Sequence, residues 1–237
     1  MSLNFKLGLR ATWDLTLSEL EVIPTLWTED LWNQIQESYQ EPHRHYHTLK
    51  HIEEVLQNID MLFDHYRCYS DLSNHTVPRG LVRLATFFHD IVYDVKDSAG
   101  SVKTSAGVAE HAAIFMGLSN KHGDMVRELV QLTELHEINP SIKIASWYQK
   151  IFLDSDMAIL GSEPDVYLEY IESVRKEYCP PYSNEDFRLG RTSFLKGIEN
   201  KRLFYTDMME EKLGFSAHRN IGSELKCLTS PLWTPPC

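Results

Sequence analysis

Apolar residues recur every three to four positions along most of this chain, and that period constrains the fold more than any other feature. Leu49, Ile52, Val55, Leu56, Ile59, Leu62 and Phe63 fall on one face of a 3.6-residue helix. The same spacing predicts helices at Leu26–Ile35, from near Tyr46 onward, from Pro78 to Phe88, and around Val108–Leu118. It continues at Val126–Leu132, Trp147–Leu153, Val166–Val174, Phe187–Ile198 after a capped Ser183 start, and from Thr206 toward Leu228. A polar stretch from Asp94 to Lys103 reads as a loop, and Asn139-Pro140, Gly161–Pro164 and Pro180-Pro181 read as breaks. Apolar–polar alternation of the β kind never extends beyond a few residues, and there is no internal repeat or long linker. The expectation is one all-α domain.

The bulk numbers narrow the function. At 237 residues, 43% hydrophobic and 24% charged, the chain has the make-up of a soluble globular protein. A formal net charge of −11 argues against a nucleic-acid binder, which needs a basic footprint. It leaves a small phosphorylated substrate open, because a bound divalent cation reverses the local potential. The run Leu81–Phe88 is interrupted by Arg83 and far too short for a membrane span, and no signal-peptide pattern is present. A cytoplasmic protein without a membrane partner is expected. Cys68, Cys179, Cys227 and Cys237 form no C-x-x-C pair, and reduced thiols are expected.

Chemistry concentrates in three segments. Four of the 11 histidines are His43, His45, His47 and His51. His47 and His51, four apart, would share a helix face and aim at one site, the alternative being surface histidines that solvate a helix start. Phe87-Phe88-His89-Asp90 brings an imidazole and a carboxylate to the end of an apolar helix. Leu153-Asp154-Ser155-Asp156 places two carboxylates in apolar surroundings, where they need a partner or a metal. A helix cap would account for one of them, less comfortably for both. In order, the set is His, His-Asp and Asp on different helices. Two imidazoles and two carboxylates suit Mn, Mg, Fe, Co, Ni or Zn without choosing among them.

The segments R-H-Y-H-T-L-K-H-I at 44–52, F-F-H-D-I-V-Y-D at 87–94, L-T-E-L-H at 132–136 and F-L-D-S-D-M-A-I-L-G at 152–161 resemble, in this order, the HD-domain superfamily of metal-dependent phosphohydrolases. The Arg175/Glu177/Tyr178 segment and A-H-R-N-I at 217–221 extend the likeness, which is greatest to a family of uncharacterised predicted HD phosphohydrolases. The resemblance implies a helical bundle with core motifs at about 42–160 and C-terminal helices at about 164–228 packed on it. It implies His51, His89, Asp90 and Asp156 as metal ligands. Y-H-T-L-K-H is also similar to the Y-H-N-x-x-H of cyclic-nucleotide phosphodiesterases, which implies His47 as general acid and favours Asp156 over Asp154 as the last ligand.

Several further residues are candidates. Arg44 adjoins the histidines and would clamp a phosphate, or else pair with Glu41. His136 would line the pocket or carry a proton, or be structural. Asp94 would orient His89 or a water at the metal. Lys96, Arg188 and Arg191 are further cations whose default is solvated surface charge, while Tyr46, Phe87, Phe88 and Tyr93 read as core or pocket wall. One departure stands out: Ser101-Val102-Lys103-Thr104 occupies the place of the family's Asn-Glu-Glu run, and Glu110 lies on the same helix without a basis for promoting it. Two functions follow: hydrolysis of a small phosphoester or nucleotide by metal-activated water, or a metal- or nucleotide-binding protein that no longer turns over. A helical scaffold with incidental histidines is the third. Oligomeric state is not legible.

Overall fold

The computed structural model describes residues 8–67, 79–136, 146–179 and 181–230. Among them are ten α-helices and no strand. In chain order these are α1 (Leu9–Glu19), α2 (Leu26–Ser38), α3 (Leu49–Arg67), α4 (Arg79–Phe88), α5 (Ser98–Phe115), α6 (Asn120–Leu132) and α7 (Trp147–Met157). A 3-10 turn, Ala158–Gly161, then leads to α8 (Pro164–Tyr178), α9 (Asn184–Ile198) and α10 (Asp207–Thr229). The all-α expectation therefore holds. No described helix is long and apolar enough to cross a membrane.

Local chemistry sets most helix starts. Thr25 and Thr28 form a reciprocal capping box at α2. Ser119, Ser183 and Thr206 each accept a backbone N–H from the first turn of α6, α9 and α10. Pro164 occupies the first turn of α8, where its missing N–H costs nothing.

The architecture is organised around α4, in which every residue from Gly80 to Phe88 is buried. A helix apolar on all sides must be surrounded; α1, α3, α5, α6 and α7 all pack on this one. Phe87 meets Trp13 of α1 edge-on at 5.3 Å and Trp32 of α2 at 6.2 Å. Burying each such side chain contributes roughly 1.5–3 kcal/mol. Arg83 is tolerated in this interior because Asp60 and Glu19 neutralise it, at 2.6 and 2.9 Å. α10 packs on the 3-10 turn and on α9, and the buried apolar cluster runs from Trp13 to Leu228. The consequence for function is that α4 delivers its C-terminal His89-Asp90 into the middle of the molecule.

Several local expectations are corrected. α1 was not anticipated. The supposed loop at 94–103 turns helical at Ser98, because Asp97 accepts the Gly100 N–H and caps α5. α3 begins at Leu49 rather than near Tyr46, because the N–H groups of residues 45–47 are taken by a carboxylate described below. Cys179 is disulfide-bonded, against the expectation of reduced thiols, and Cys227 is a free exposed thiol. Spacing along a chain does not report which cysteines the fold brings together. Pro78, Asn139-Pro140, Pro180, Cys68 and Cys237 lie outside the described residues.

Candidate metal centre

His51 on the first turn of α3, His89 and Asp90 just past α4, and Asp156 on the last turn of α7 converge. The imidazole Nε2 atoms of His51 and His89 face each other at 3.2 Å. Asp156 Oδ1 lies 3.2 Å from His51 Nε2 and 3.6 Å from His89 Nε2. Asp90 Oδ2 lies 3.1 Å from His89 Nε2 and 4.0 Å from His51 Nε2. His51, His89 and Asp90 offer three donor atoms that all lie within 4.8 Å of one another; Asp156 is not part of that group, although its Oδ1 approaches both imidazoles. Ligand bonds of about 2.1 Å put adjacent donors about 3.0 Å apart and opposite donors about 4.2 Å apart in an octahedral shell. The separations among His51, His89 and Asp90, and those from Asp156 Oδ1 to each imidazole, fit that spacing, and the nitrogen–oxygen donor set fits a divalent ion.

The electrostatics point the same way. His89 donates its Nδ1–H to the Thr86 carbonyl at 2.8 Å, which leaves Nε2 free to carry a lone pair. A lone pair facing a second buried imidazole nitrogen requires a cation or a proton between them. Burial opposes charge on His89, yet Asp90 and Asp156 outweigh it and raise its pKa well above the usual imidazole value. Burial likewise opposes ionisation of Asp90 and Asp156, but the imidazole charges, His89 foremost, hold both below the usual carboxylate range. The cluster is built to be anionic and to hold positive charge.

Asp154 does something else. Its Oδ1 accepts the Tyr205 N–H at 2.7 Å, and Oδ2 accepts the Thr206 N–H and hydroxyl at 2.7 and 2.6 Å. It anchors the N-cap of α10, and burial pushes its pKa up to about 6 in spite of those bonds. Asp156 is thus the carboxylate at the cluster.

His47 precedes α3 rather than sharing a helical face with His51, although their rings remain 5.6 Å apart. It donates Nδ1–H to Glu177 Oε2 at 2.8 Å, and its Nε2 stands 4.0 Å from Asp90 Oδ2. Burial disfavours its charged form, but Glu177 more than offsets this, so the pKa is raised. Glu177 is the residue sequence reasoning missed as part of the site. Its Oε1 accepts the N–H groups of His45, Tyr46 and His47 at 2.8, 2.7 and 2.9 Å, and Oε2 also accepts the Tyr93 hydroxyl at 2.8 Å. Burial would raise its pKa, yet the His47 charge and these bonds bring it down to about 2. The Arg175/Glu177/Tyr178 segment was the only signal available, and nothing in it named a role.

Arg44 is corrected. Its side chain is fully buried, and its guanidinium donates to the Asp90 and Ile91 carbonyls at 2.6 and 3.1 Å and to Glu41 Oε2 at 2.9 Å. With its donors committed, it holds the turn that carries Asp90 and presents nothing to a phosphate. Asp94 is also corrected as the orienting group of His89, since the Thr86 carbonyl does that; Asp94 is exposed, lines the cavity and accepts the Lys96 N–H at 2.9 Å. His136 donates Nε2–H to Asp156 Oδ2 at 3.0 Å and adopts φ 50°, a left-handed conformation uncommon outside glycine. Arg188 pairs with Glu185 at 2.7 Å, Lys96 is exposed, and Glu110 faces Arg127 at 3.6 Å. Of the three weaker cationic candidates, Arg191 alone reaches the cavity wall.

The cavity over the cluster has a volume of about 550 Å³, with His47, Asp90, His136 and Asp156 among its lining residues. A second cavity of about 500 Å³ between α2 and α5 is walled by Ile23, Trp27, Leu31, Val108 and Phe115. Its sole titratable side chain is His111, whose Nδ1 is bonded to the Gly107 carbonyl, so it offers no comparable chemistry. No protein-family model, curated protein or solved structure matches the chain.

Proposed function

We propose that this chain is a metal-dependent phosphohydrolase of the HD type, acting on a small phosphoester or nucleotide. The observation that carries the reading is the cluster of His51, His89 and Asp90, with Asp156 Oδ1 reaching both imidazoles, beneath a cavity of ligand size; the imidazole–imidazole and imidazole–carboxylate distances are 3.1–4.0 Å. A bound divalent ion supplies charge neutralisation for the phosphoryl group and lowers the pKa of water. The residues supply the rest. His136 fixes the outer oxygen of Asp156, and Arg44 fixes the backbone around Asp90. Glu177 takes the Nδ1–H of His47 and keeps the ring charged, with Nε2 toward Asp90. As the oxygen of water bonds to phosphorus and the ester P–O bond breaks, His47 Nε2 gives its proton to the departing oxygen, and the proton released by the attacking water passes through solvent to return His47 to its starting form.

Metal analysis and a phosphoesterase screen with Mn, Co or Mg test this. His89→Ala and Asp156→Ala are expected to remove both metal and activity. His47→Ala is expected to keep metal and slow turnover by roughly 10²–10⁴. Metal lost from His47→Ala but retained by His51→Ala reverses the assignment.

One observation favours a second reading, a metal- or nucleotide-binding protein without turnover. Ser101 and Val102, from the 101–104 stretch that stands in place of the family's Asn-Glu-Glu run, line the cavity, and among the described residues the carboxylates that line it beyond the cluster are Asp94, Glu134 and Asp186. Bound metal with no hydrolysis of any phosphoester supports that reading.

A further inference from the structure

We infer that the cavity over the cluster selects ligands bearing one phosphoryl group and an uncharged aromatic ring, rather than polyphosphates or aliphatic phosphates. The inference rests on the cavity being the site of the proposed function and deepens it by naming the ligand class.

The first argument is charge. Among the described residues, the lining acids are Asp90, Asp94, Glu134, Asp156 and Asp186, and the lining cation other than histidine is Arg191. Arg191 is already neutralised: Glu224 receives its Nε–H and Nη2–H at 2.7 and 3.0 Å, and the Tyr170 hydroxyl accepts from Nη1 at 3.1 Å. Arg44 is committed to carbonyls, and His47 Nδ1 is paired with Glu177 Oε2 at 2.8 Å. A divalent ion would be balanced by Asp90 and Asp156. One phosphoryl group can be received at such a centre, but a second or third would meet carboxylates with no free donor fork to bind it.

The second argument is the wall. Tyr46, Tyr93, Tyr170, Tyr178, Tyr182 and Phe194 surround the space. Two of these hydroxyls donate away from the space, Tyr93 to Glu177 and Tyr182 to the Val95 carbonyl at 3.2 Å, and that of Tyr170 accepts from Arg191. Tyr93 and Tyr182 therefore offer the cavity ring surface rather than a free O–H donor. A ligand ring gains from stacked or edge-on pairing with such walls beyond simple area burial, a gain that an uncharged aliphatic group does not collect.

Calorimetric titration of the full chain loaded with Mn tests the inference without requiring turnover, with metal kept in excess of total phosphate. Benzylphosphonate is expected to bind about twofold to tenfold more tightly than propylphosphonate, and adenosine monophosphate more tightly than adenosine triphosphate. Phe194→Ala, at a side chain 41% exposed and so safe for folding, is expected to shrink the benzyl-to-propyl ratio. Equal affinities, or tighter binding of the triphosphate, overturn the inference even if every phosphoester is hydrolysed. Absence of hydrolysis with the benzyl preference intact overturns the enzymatic reading and leaves the ligand class standing.

Discussion

Two positions separate Asp154 from Asp156 on α7, an offset of about 200° around the helix axis, so the two carboxylates must face different neighbours. Asp156 reaches the histidines and Asp154 reaches the start of α10. Asp154→Asn is therefore expected to keep metal stoichiometry at the wild-type level while losing about 1–3 kcal/mol of stability, because an amide cannot accept all three donors. Metal loss in this variant, measured by elemental analysis, would sink the distinction. Glu177 gives a pH signature. Its folded pKa of about 2 lies below its ordinary value of 4.5, so the unfolded state binds more protons in that window. Its stabilising contribution, on the order of 3 kcal/mol, is complete above pH 4.5 and is lost as the pH falls toward 2. Glu177→Gln should lower neutral-pH stability and flatten the acid limb of a thermal-melt pH series; an unchanged limb refutes the pairing. The sequence showed the identity of these groups but not their partners, since His47 and Glu177 are 130 residues apart.

At the scale of elements, the legible parts were those with local causes. Ser183 and Thr206 marked helix starts because a cap acts over three residues. The start of α3 was misplaced because the decisive acceptor for residues 45–47 comes from α8. The closest approach between elements that a small residue permits is at Gly161, where the 3-10 turn meets α10. A Cβ there would lie 2.9 Å from the Leu213 carbonyl oxygen and 3.2 Å from its Cα. Backbone cannot swing aside as a side chain can. Gly161→Ala is expected to cost about 1–3 kcal/mol, seen as a lower denaturant midpoint. An unaltered midpoint would mean that α10 can shift outward freely.

For the whole molecule, the cluster ties α3, α7 and the end of α4 together, so occupancy by a metal should stabilise the entire fold. At a free ion concentration of about 100 times Kd the linkage is worth about 2.7 kcal/mol, or roughly 5–10 °C in Tm for a chain of this size. Chelation should reverse the shift in wild type and have no effect on His89→Ala; equal shifts in both would place the ion elsewhere. What the sequence by itself determined is the all-helical class, through the period of its apolar residues, and the chemical identity of two imidazoles and several carboxylates in three segments. Those are properties of spacing within a few residues, where geometry is fixed by the helix. Tertiary structure separated Asp156, at the histidines, from Asp154, at the start of α10, a choice the resemblance only favoured, and it alone decided that Arg44 is consumed by the turn after α4 and that Glu177 pairs with His47. Each of those depends on contacts between distant segments, and such contacts leave no periodic or local trace in the chain that makes them.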